Sequence, residues 1–596
     1  MYIALVQNNP TLGALAANVD DMLQTVQTLQ QLAYPPDLVI WPAYALTGQP
    51  LAGLATSASF AAECLDQARR FLQKTTLPCL FGSVAPQQLD DQLECVSEAI
   101  YVQPGGGGLL GFSALDDLES LDEDYGCIRV RIGNQTVAIF LEDIPDDGEG
   151  LSDCDLIIAL VAKEYQGCAH LLTSANWLTS CQHVAKSANA WLVVANLVGG
   201  QDELIYDGGS LIVNPAGELT ASAPLFRTAI LTCNLSSQNG EAPARSTALI
   251  SAEASVEPSA APHSPATTTT NGKQILLPRA VDWQALELAT HDYLRKNGFT
   301  DVVLGLSGGI DSALVAVLAS DALGAEHVHA LLLPSAVTAP TSQSDALELA
   351  GNLGIEATIS GIDELLMAFR ARLSEPANWD PQALAVQNLQ ARLRMICLMY
   401  AANQHNWLLL NTSNKSEAAV GYSTLYGDSA GGFAPFGNIY KTDLYELAVW
   451  RNSQQAVIPA SILHKPPTAE LFSGQLDTDT LPPYELLDRI LRLHIEDNFG
   501  LDQILDFLAN LPDADPVDAD LVSAVLRLVQ RAEFKRRQEP LAPNLGSVSL
   551  TDQRAWPITN GFRDRQHFLN TGGNWENLLE IIRDGQRPSG LGFLDN

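Results

Sequence analysis

The sequence has little positive charge: 33 lysines and arginines stand against 69 aspartates and glutamates, which gives a net charge of −36. A chain this acidic repels phosphate backbones and anionic lipid surfaces, which excludes a general nucleic-acid-binding or membrane-surface function. An uninterrupted apolar stretch of membrane-spanning length is missing, and so is a basic and then apolar leader after Met1. We therefore expect a cytoplasmic protein that binds neither nucleic acid nor membrane.

Paired cysteines are also missing. The nine cysteines are scattered without CxxC pairs or metal-ligand spacing, which indicates reduced thiols rather than a disulfide framework or a structural metal site. At 596 residues the chain is too long for one core. Residues 235–272 are rich in Ser, Ala, Pro and Thr and lack spaced large apolar residues. We predict a flexible linker there, between domains at 1–234 and 273–596.

Short apolar runs alternate with helical patterns on both sides of this linker. Before it, the alternation predicts a layered α/β domain. After it, strands near residues 302–306, 328–332 and 407–411 alternate with helices. This order predicts a doubly wound parallel sheet whose ligand lies beyond the carboxyl ends of the strands.

The stretch Val302–Ser312 carries the clearest chemistry. An apolar strand pattern leads into Gly308 and Gly309, and a helical pattern follows. Glycines let backbone N–H groups close around phosphate oxygens, and the start of a helix adds further unpaired N–H groups. Asp311 offers an oxygen ligand for Mg²⁺. The motif lacks the Gly-Lys-Ser/Thr ending of a Walker A loop. It resembles instead the pyrophosphate loop of ATP pyrophosphatases, which split ATP into AMP and pyrophosphate.

Further motifs narrow this resemblance. They are Asn388–Arg394, Thr412–Tyr422, Thr424–Asp428, Lys441-Thr442, Pro467–Leu471 and Glu533–Gln538, in family order. Together they resemble NAD⁺ synthetase in its long form, which carries an N-terminal nitrilase-like glutaminase domain. The resemblance implies a nitrilase-like αββα sandwich followed by a doubly wound, adenine nucleotide alpha hydrolase-like domain.

The resemblance implies ATP-dependent amidation of deamido-NAD⁺. The nicotinate carboxylate attacks the α-phosphate of ATP to give an adenylate and pyrophosphate, and ammonia then displaces AMP. Lys441 and Asp311 are the implied catalytic residues, and the same analogy implies a homodimer or a larger homo-oligomer. The matched positions imply ATP contacts at Leu306, Ser307, Gly308, Gly309, Ile310, Asp311, Ser312, Thr412, Lys441 and Thr468, deamido-NAD⁺ contacts at Asn388, Glu417, Asp428 and Lys535, and Mg²⁺ ligands at Asp311 and Glu417.

The first half resembles the nitrilase scaffold without its chemistry. That family needs a glutamate base, a lysine that stabilises the oxyanion and a cysteine nucleophile. The corresponding positions here hold Ala43, Phe112 and Leu141, and there is no lysine between Lys74 and Lys163. Hydrocarbon side chains cannot take a proton or form a thioester. We therefore expect a degenerate glutaminase, with ammonia coming from solution or from an external supplier.

Three alternatives stay open at this point. The first is a glutamine-dependent synthetase with a rewired glutaminase site. The second belongs to another class: a scaffold protein in which both active sites are dead. The third is an ATP pyrophosphatase that activates a different carboxylate or carbonyl substrate, such as xanthosine monophosphate or aspartate.

Overall fold

The computed structural model describes residues 1–89, 92–104, 107–111, 121–122, 127–167, 175–235, 248–250, 267–270, 273–276, 278–373, 380, 382–512, 517–546, 548–550 and 554–561. Within these ranges the chain is mixed α/β in both halves, as the alternation of apolar patterns predicts. No helix of these residues is long and apolar enough to cross a bilayer.

The first half contains two seven-stranded sheets. The strands of the chain up to residue 250 are β1 (Tyr2–Gln7), β2 (Leu38–Ile40), β3 (Cys79–Leu89), β4 (Gln92–Gln103), β5 (Gly107–Gly111), β6 (Leu121–Asp122), β7 (Cys127–Ile132), β8 (Gln135–Leu141), β9 (Leu156–Val161), β10 (Trp191–Asn196), β11 (Val198–Gln201), β12 (Leu204–Asp207), β13 (Leu211–Val213), β14 (Leu219–Ser222), β15 (Ala229–Asn234) and β16 (Ala248–Ile250). One sheet has the order β16-β15-β1-β2-β3-β4-β5 and the other β14-β13-β10-β9-β8-β7-β6. Strands β11 and β12 form a separate hairpin.

Within the described ranges of this half, three helices cover the outer faces: α1 (Leu15–Gln30), α2 (Ala58–Lys74) and α3 (Ala175–Ala188). Strand β9 shows why the layers stack. Leu156, Ile158 and Leu160 face the core between the two sheets. The alternate residues Ile157, Ala159 and Val161 pack in a second core together with residues of α3. Because every residue of β9 is buried, the sheet must be covered on both faces, which gives a helix–sheet–sheet–helix sandwich.

The second half is built around a four-stranded parallel sheet. After the hairpin β17 (Thr267–Thr270) and β18 (Lys273–Leu276), its strands are β19 (Val302–Gly305), β20 (Val328–Leu332), β21 (Glu356–Ile359) and β22 (Leu408–Leu409), in the order β21-β20-β19-β22. The helices are α4 (Pro278–Lys296), α5 (Ile310–Leu323), α6 (Pro340–Leu353), α7 (Asp363–Leu373), α8 (Leu384–His405), α9 (Lys415–Val420), α10 (Lys441–Gln454), α11 (Ala460–His464), α12 (Tyr484–Ile495), α13 (Leu501–Ala509) and α14 (Ala519–Arg536).

Strand β19 divides this half into two layers. Val302 and Leu304 pack in the core that contains α4, α5 and α10. Val303 points the other way, into a core with Met395 and Leu398 of α8. Both faces of the parallel sheet are therefore covered, which confirms the predicted doubly wound architecture. Helices α12, α13 and α14 form a third core beside it.

The predicted linker contains more regular backbone than its composition suggests. Strand β16 pairs with β15, so the first sheet extends past residue 234. The run Thr267–Thr270, which the sequence analysis assigns to the linker, pairs with Lys273–Leu276. Main-chain hydrogen bonds at a sheet edge make few demands on side chains, so a polar composition does not exclude them. Leu235, the first residue of the predicted linker, is buried in the core of the first half, and the remaining linker residues lie outside the described ranges.

The two halves share buried contacts. Tyr165, Ile205 and Phe226 of the first half belong to the apolar core of the parallel sheet. Beside them, the Asp292 carboxylate of α4 accepts hydrogen bonds from the Asn9 side chain at 2.6 Å and from the Gly200 backbone at 2.8 Å. The packing between the halves is therefore partly apolar and partly polar, and it is buried.

Candidate active site

The glycine loop between β19 and α5 has the backbone geometry that its sequence predicts. Gly308 has φ +83°, and a Cβ there would lie 2.2 Å from the Ser342 carbonyl oxygen, so only glycine fits. The Ser312 hydroxyl accepts from the Ser307 N–H and donates to the Gly309 carbonyl, each at 3.2 Å. The loop is therefore held by its own serines at the start of α5, where unpaired N–H groups favour an anion.

A buried lysine joins two carboxylates beside this loop. The Lys441 ammonium, on a side chain only 1% exposed, donates to Asp311 at 2.6 Å and to Glu417 at 3.0 Å. Burial alone would lower the pKa of Lys441, but the two carboxylates outweigh burial and raise it, so the lysine stays charged. Burial, together with Asp311 and Asp477, raises the pKa of Glu417 to about 7 against the opposing effect of Lys441.

Residues from distant parts of the chain hold this cluster in place. Asn414 precedes α9, and its side chain accepts from the Glu417 N–H at 3.0 Å while its amide donates to Asp311 at 2.8 Å. This capping bond fixes the start of α9 and orients both carboxylates at once. The Tyr484 hydroxyl lies 3.2 Å from a Glu417 oxygen and 3.0 Å from an Asp477 oxygen, so it can donate its one proton to either carboxylate.

The cluster opens into a cavity of about 280 Å³ at the carboxyl ends of the parallel strands. Its position agrees with the rule for open α/β sheets. Most of the residues that the sequence analysis assigns to the nucleotides line it: Leu306, Ser307, Gly309, Ile310, Asp311, Ser312, Thr412, Glu417, Asp428, Lys441 and Thr468. Distant motifs of the second half therefore meet around one space.

Three assigned residues lie behind the cavity wall. Gly308 packs against the Ser342 backbone. The Asn388 side chain accepts from the Thr424 hydroxyl at 2.8 Å. The Lys535 ammonium donates to two carbonyl oxygens, those of residues 421 and 423, each at 2.7 Å. In this structure Asn388 and Lys535 therefore support the segment that carries Asp428, and their assignment to deamido-NAD⁺ stays a prediction.

Sequence reasoning missed several charged residues of the cavity. Arg394 lines it, and burial lowers the pKa of its guanidinium. Lys465 also lines it and donates to Glu470 at 2.6 Å and to the Ser342 hydroxyl. Asp477 also lines the cavity and adds another carboxylate to its wall. Arg394 lies inside the motif Asn388–Arg394, and Lys465 lies two residues before the motif Pro467–Leu471. Their closeness to these motifs is the sequence signal that could have identified them as site residues.

The first half holds no catalytic triad at the expected positions that the structure describes. Ala43 is 2% exposed, and Leu141 packs against the core between the sheets. Phe112 lies outside the described residues. Polar groups nearby bond to one another instead: the Tyr44 hydroxyl donates to Glu142 at 2.5 Å, and the Ser97 hydroxyl donates to the same carboxylate.

Three described cysteines of this part of the fold, Cys127, Cys154 and Cys181, are buried. Cys127 and Cys154 are both buried in the core beneath α3. Burial raises the pKa of Cys154 to about 11 and that of Cys181 to about 12. These two thiols stay protonated at neutral pH, and a thiol is a far weaker nucleophile than a thiolate.

Comparisons with known proteins agree with this architecture. The sequence profile of the family described as NAD synthase matches residues 282–539. The glutamine-dependent NAD(+) synthetase of Aquifex aeolicus (strain VF5) is 34% identical, over 94% of this chain and 100% of that protein. The enzyme of the same name from Synechocystis sp. (strain PCC 6803) is also 34% identical, over 94% of this chain and 99% of that protein.

A solved structure shows the same likeness along the whole chain. Glutamine-dependent NAD⁺ synthetase from Acinetobacter baumannii, in complex with adenosine diphosphate, has 28% sequence identity and a TM-score of 0.62, and covers 95% of this chain and 99% of that one. The enzyme from Cytophaga hutchinsonii, at 18% identity, shares the fold with a TM-score of 0.74 over 94% of this chain and 98% of that one. With two relatives above 30% identity along nearly their full length, the chain belongs to the family of glutamine-dependent NAD⁺ synthetases.

Proposed function

We propose that the protein catalyses the ATP-dependent amidation of deamido-NAD⁺ to NAD⁺, with release of AMP and pyrophosphate. The observation that carries the proposal is the Asp311–Lys441–Glu417 cluster beside the glycine loop, in a cavity at the carboxyl ends of the strands. A dead scaffold has no need to keep a buried ammonium between two carboxylates, an arrangement that costs desolvation energy. Family membership supports the same reaction.

The residues present suit adenylate formation. Phosphoryl transfer needs positioning and charge neutralisation more than proton chemistry. The N–H groups of the loop and the hydroxyls of Ser307 and Ser312 would hold the pyrophosphate. Lys441 would neutralise charge on the leaving oxygen. Lys441 bonds to both Asp311 and Glu417, so the two carboxylates lie at the same side of the glycine loop, and the resemblance assigns both as Mg²⁺ ligands. Bound Mg²⁺ would add charge neutralisation at the phosphates.

Two nitrogen donors have support, each from a different observation. The names of the relatives favour glutamine, the alternative to the ammonia-dependent reading of the sequence. The hydrocarbon side chains of Ala43 and Leu141 favour free ammonia, from solution or from an external supplier. A glutamine-dependent enzyme would need a nucleophile and a base other than the family's own.

The donor assay tests both proposals. The purified chain receives ATP, Mg²⁺ and deamido-NAD⁺ with either ammonium or glutamine, and NAD⁺, AMP and glutamate are quantified. An ammonia-scavenging dehydrogenase in the glutamine arm removes contaminating ammonia. Formation of NAD⁺ with ammonium but not with glutamine supports the ammonia-dependent reaction. Release of glutamate in step with NAD⁺ formation supports the glutamine-dependent reaction. If neither donor gives NAD⁺ and ATP is not turned over, the scaffold alternative holds. Turnover with xanthosine monophosphate or aspartate instead would identify another substrate.

We also propose that the protein is a homo-oligomer through helices α7 and α8. These helices expose large apolar side chains that a monomer would leave in water: Leu365, Met367, Phe369, Leu373, Leu384, Ile396, Met399 and Tyr400. Exposed apolar surface of this extent is typical of a protein interface. The occupant that fits the family analogy is a second copy of the chain.

A further inference from the structure

A second cavity, of about 10 Å³, lies directly behind the wall of the large one. Asn411 and Ser413 line both cavities, so these two residues form a shared wall. The small cavity also meets apolar side chains, among them Ala418, Ala434 and Leu550. Its volume admits one molecule the size of water or ammonia.

Two buried polar atoms of residues that line this cavity lack a hydrogen-bond partner within the described part of the chain. They are the Glu539 Oε1 and the Arg536 Nε, and both residues line the cavity. Arg536 is only 3% exposed, and its other nitrogens are used: they donate to the carbonyls of Ala419 and Val529 and to Glu533. A buried acceptor and a buried donor without partners are rare in native proteins, and here both belong to residues that line the same small space.

The charges around Glu539 come from three parts of the fold. Burial raises the pKa of Glu539 to about 7. Arg536 and Lys535, on the helix that precedes it, act to lower the pKa, whereas Asp428 and Glu417, on the active-site side, act to raise it. The carboxylate can therefore both hold a cation and accept a proton near neutral pH.

We propose that the small cavity is a binding site for ammonium, where Glu539 accepts a proton and releases ammonia toward the adenylate behind Asn411 and Ser413. The inference rests on the proposed amidation. The ammonium N–H bond breaks and its proton moves to the Glu539 carboxylate, which leaves the nitrogen lone pair on ammonia. That lone pair can accept from the Arg536 Nε–H. Ammonia then attacks the acyl carbon, the new C–N bond forms, the bond to the AMP oxygen breaks, and the surplus proton passes to solvent.

Such a site would supply neutral ammonia, the nucleophile that the amidation requires. Only neutral ammonia is a nucleophile, whereas ammonium predominates in neutral water. A carboxylate one wall away from the adenylate concentrates the abundant cation and deprotonates it next to the acceptor. A trapped water is the competing occupant, because it has the same size and can also satisfy Glu539 and Arg536.

The test compares Glu539→Gln and Glu539→Ala with wild type, and uses Gln538→Ala, an exposed neighbour, as the matched control. Three rates are measured: pyrophosphate release without a nitrogen donor, amidation by ammonium at neutral pH, and amidation by hydroxylamine, a nucleophile of similar size that is a much weaker base and is neutral at that pH. We expect the Glu539 variants to keep the first and third rates and to raise the KM for ammonium on the order of tenfold or more.

The outcomes separate the two proposals. If the Glu539 variants keep a wild-type KM for ammonium, or lose the hydroxylamine and ammonium rates equally, the cavity holds only water or a structural group and the inference is overturned. If wild type itself releases no pyrophosphate with deamido-NAD⁺, the proposed amidation fails first. A variant that keeps pyrophosphate release is folded, so a change in its KM for ammonium cannot come from misfolding.

Discussion

Replacing Lys441 by methionine is the most informative single change in the synthetase site. Methionine keeps much of the side-chain volume and removes the ammonium that lies 2.6 Å from Asp311 and 3.0 Å from Glu417. Two partly buried carboxylates then face each other without a cation. Breaking a buried ion pair on one side costs about 3–5 kcal/mol of unfolding free energy. Because the pKa of Glu417 is about 7 even beside the lysine, Glu417 takes up a proton in the variant. We therefore expect the lower end of that range.

The folded variant should also lose catalytic rate. Without the ammonium, charge on the pyrophosphate leaving group is less neutralised, and we expect the rate of adenylate formation to fall by at least about 100-fold. Urea unfolding followed by tryptophan fluorescence gives the stability. Pyrophosphate release with deamido-NAD⁺ at 25 °C gives the rate.

Lys415→Met is the matched control. Lys415 is also 1% exposed, and its ammonium contacts Glu496 at 3.1 Å and the Val548 carbonyl at 2.8 Å, but it does not line the large cavity. It should lose a similar free energy, about 3 kcal/mol, and keep adenylation within a few-fold of wild type. If the Lys441 and Lys415 variants adenylate at the same rate, Lys441 only stabilises the fold and the assigned role is wrong.

Three other predictions follow from buried and exposed groups elsewhere. Burial raises the pKa of Asp207 to about 7, so between pH 4 and 7 the folded state keeps a proton that the unfolded chain has lost. The free energy of unfolding should therefore fall by up to about 4 kcal/mol as the pH rises from 4 to 7. Asp207→Asn should flatten this pH dependence in urea unfolding. Asp292→Asn leaves Lys296, which lies 3.4 Å away on the same helix, buried without its counter-charge, and should cost about 3 kcal/mol by calorimetry; a loss below 0.5 kcal/mol would contradict a stabilising buried ion pair within α4. Leu373→Glu and Tyr400→Glu place charge on the α7–α8 surface and should dissociate the oligomer, which light scattering would detect as a lower molar mass. An unchanged mass would show that the interface lies elsewhere.

The features that could be predicted from sequence are those in which a local pattern decides the structure. The apolar run, two glycines and a helical pattern at residues 302–319 specify strand, loop and helix with little help from elsewhere. The period-2 and period-3.6 patterns gave the layered α/β architecture for the same reason. Ordered motifs placed Asp311, Glu417 and Lys441 in one site, although they are far apart in the chain.

Other features depend on contacts that no local pattern encodes. The Tyr44–Ser97–Glu142 hydrogen bonds join three segments through the tertiary fold. The acceptor at Glu539 matters only because Arg536 and the cavity lie beside it, which composition cannot show. Polar composition also failed to show that part of the predicted linker pairs with the first sheet, since main-chain hydrogen bonds form there whatever the side chains are.

The aromatic contact between Tyr165 and Phe226, with ring centroids 5.2 Å apart, has a consequence for how this chain can change over time. The same tyrosine donates to Asp282 at the start of α4, so residues of one half complete the hydrophobic interior of the other. Single substitutions elsewhere in the first half can leave this packing intact, whereas deleting the first half would expose the core of the second half to water. Natural selection would therefore preserve the first half for its shape, whatever reaction that half catalyses.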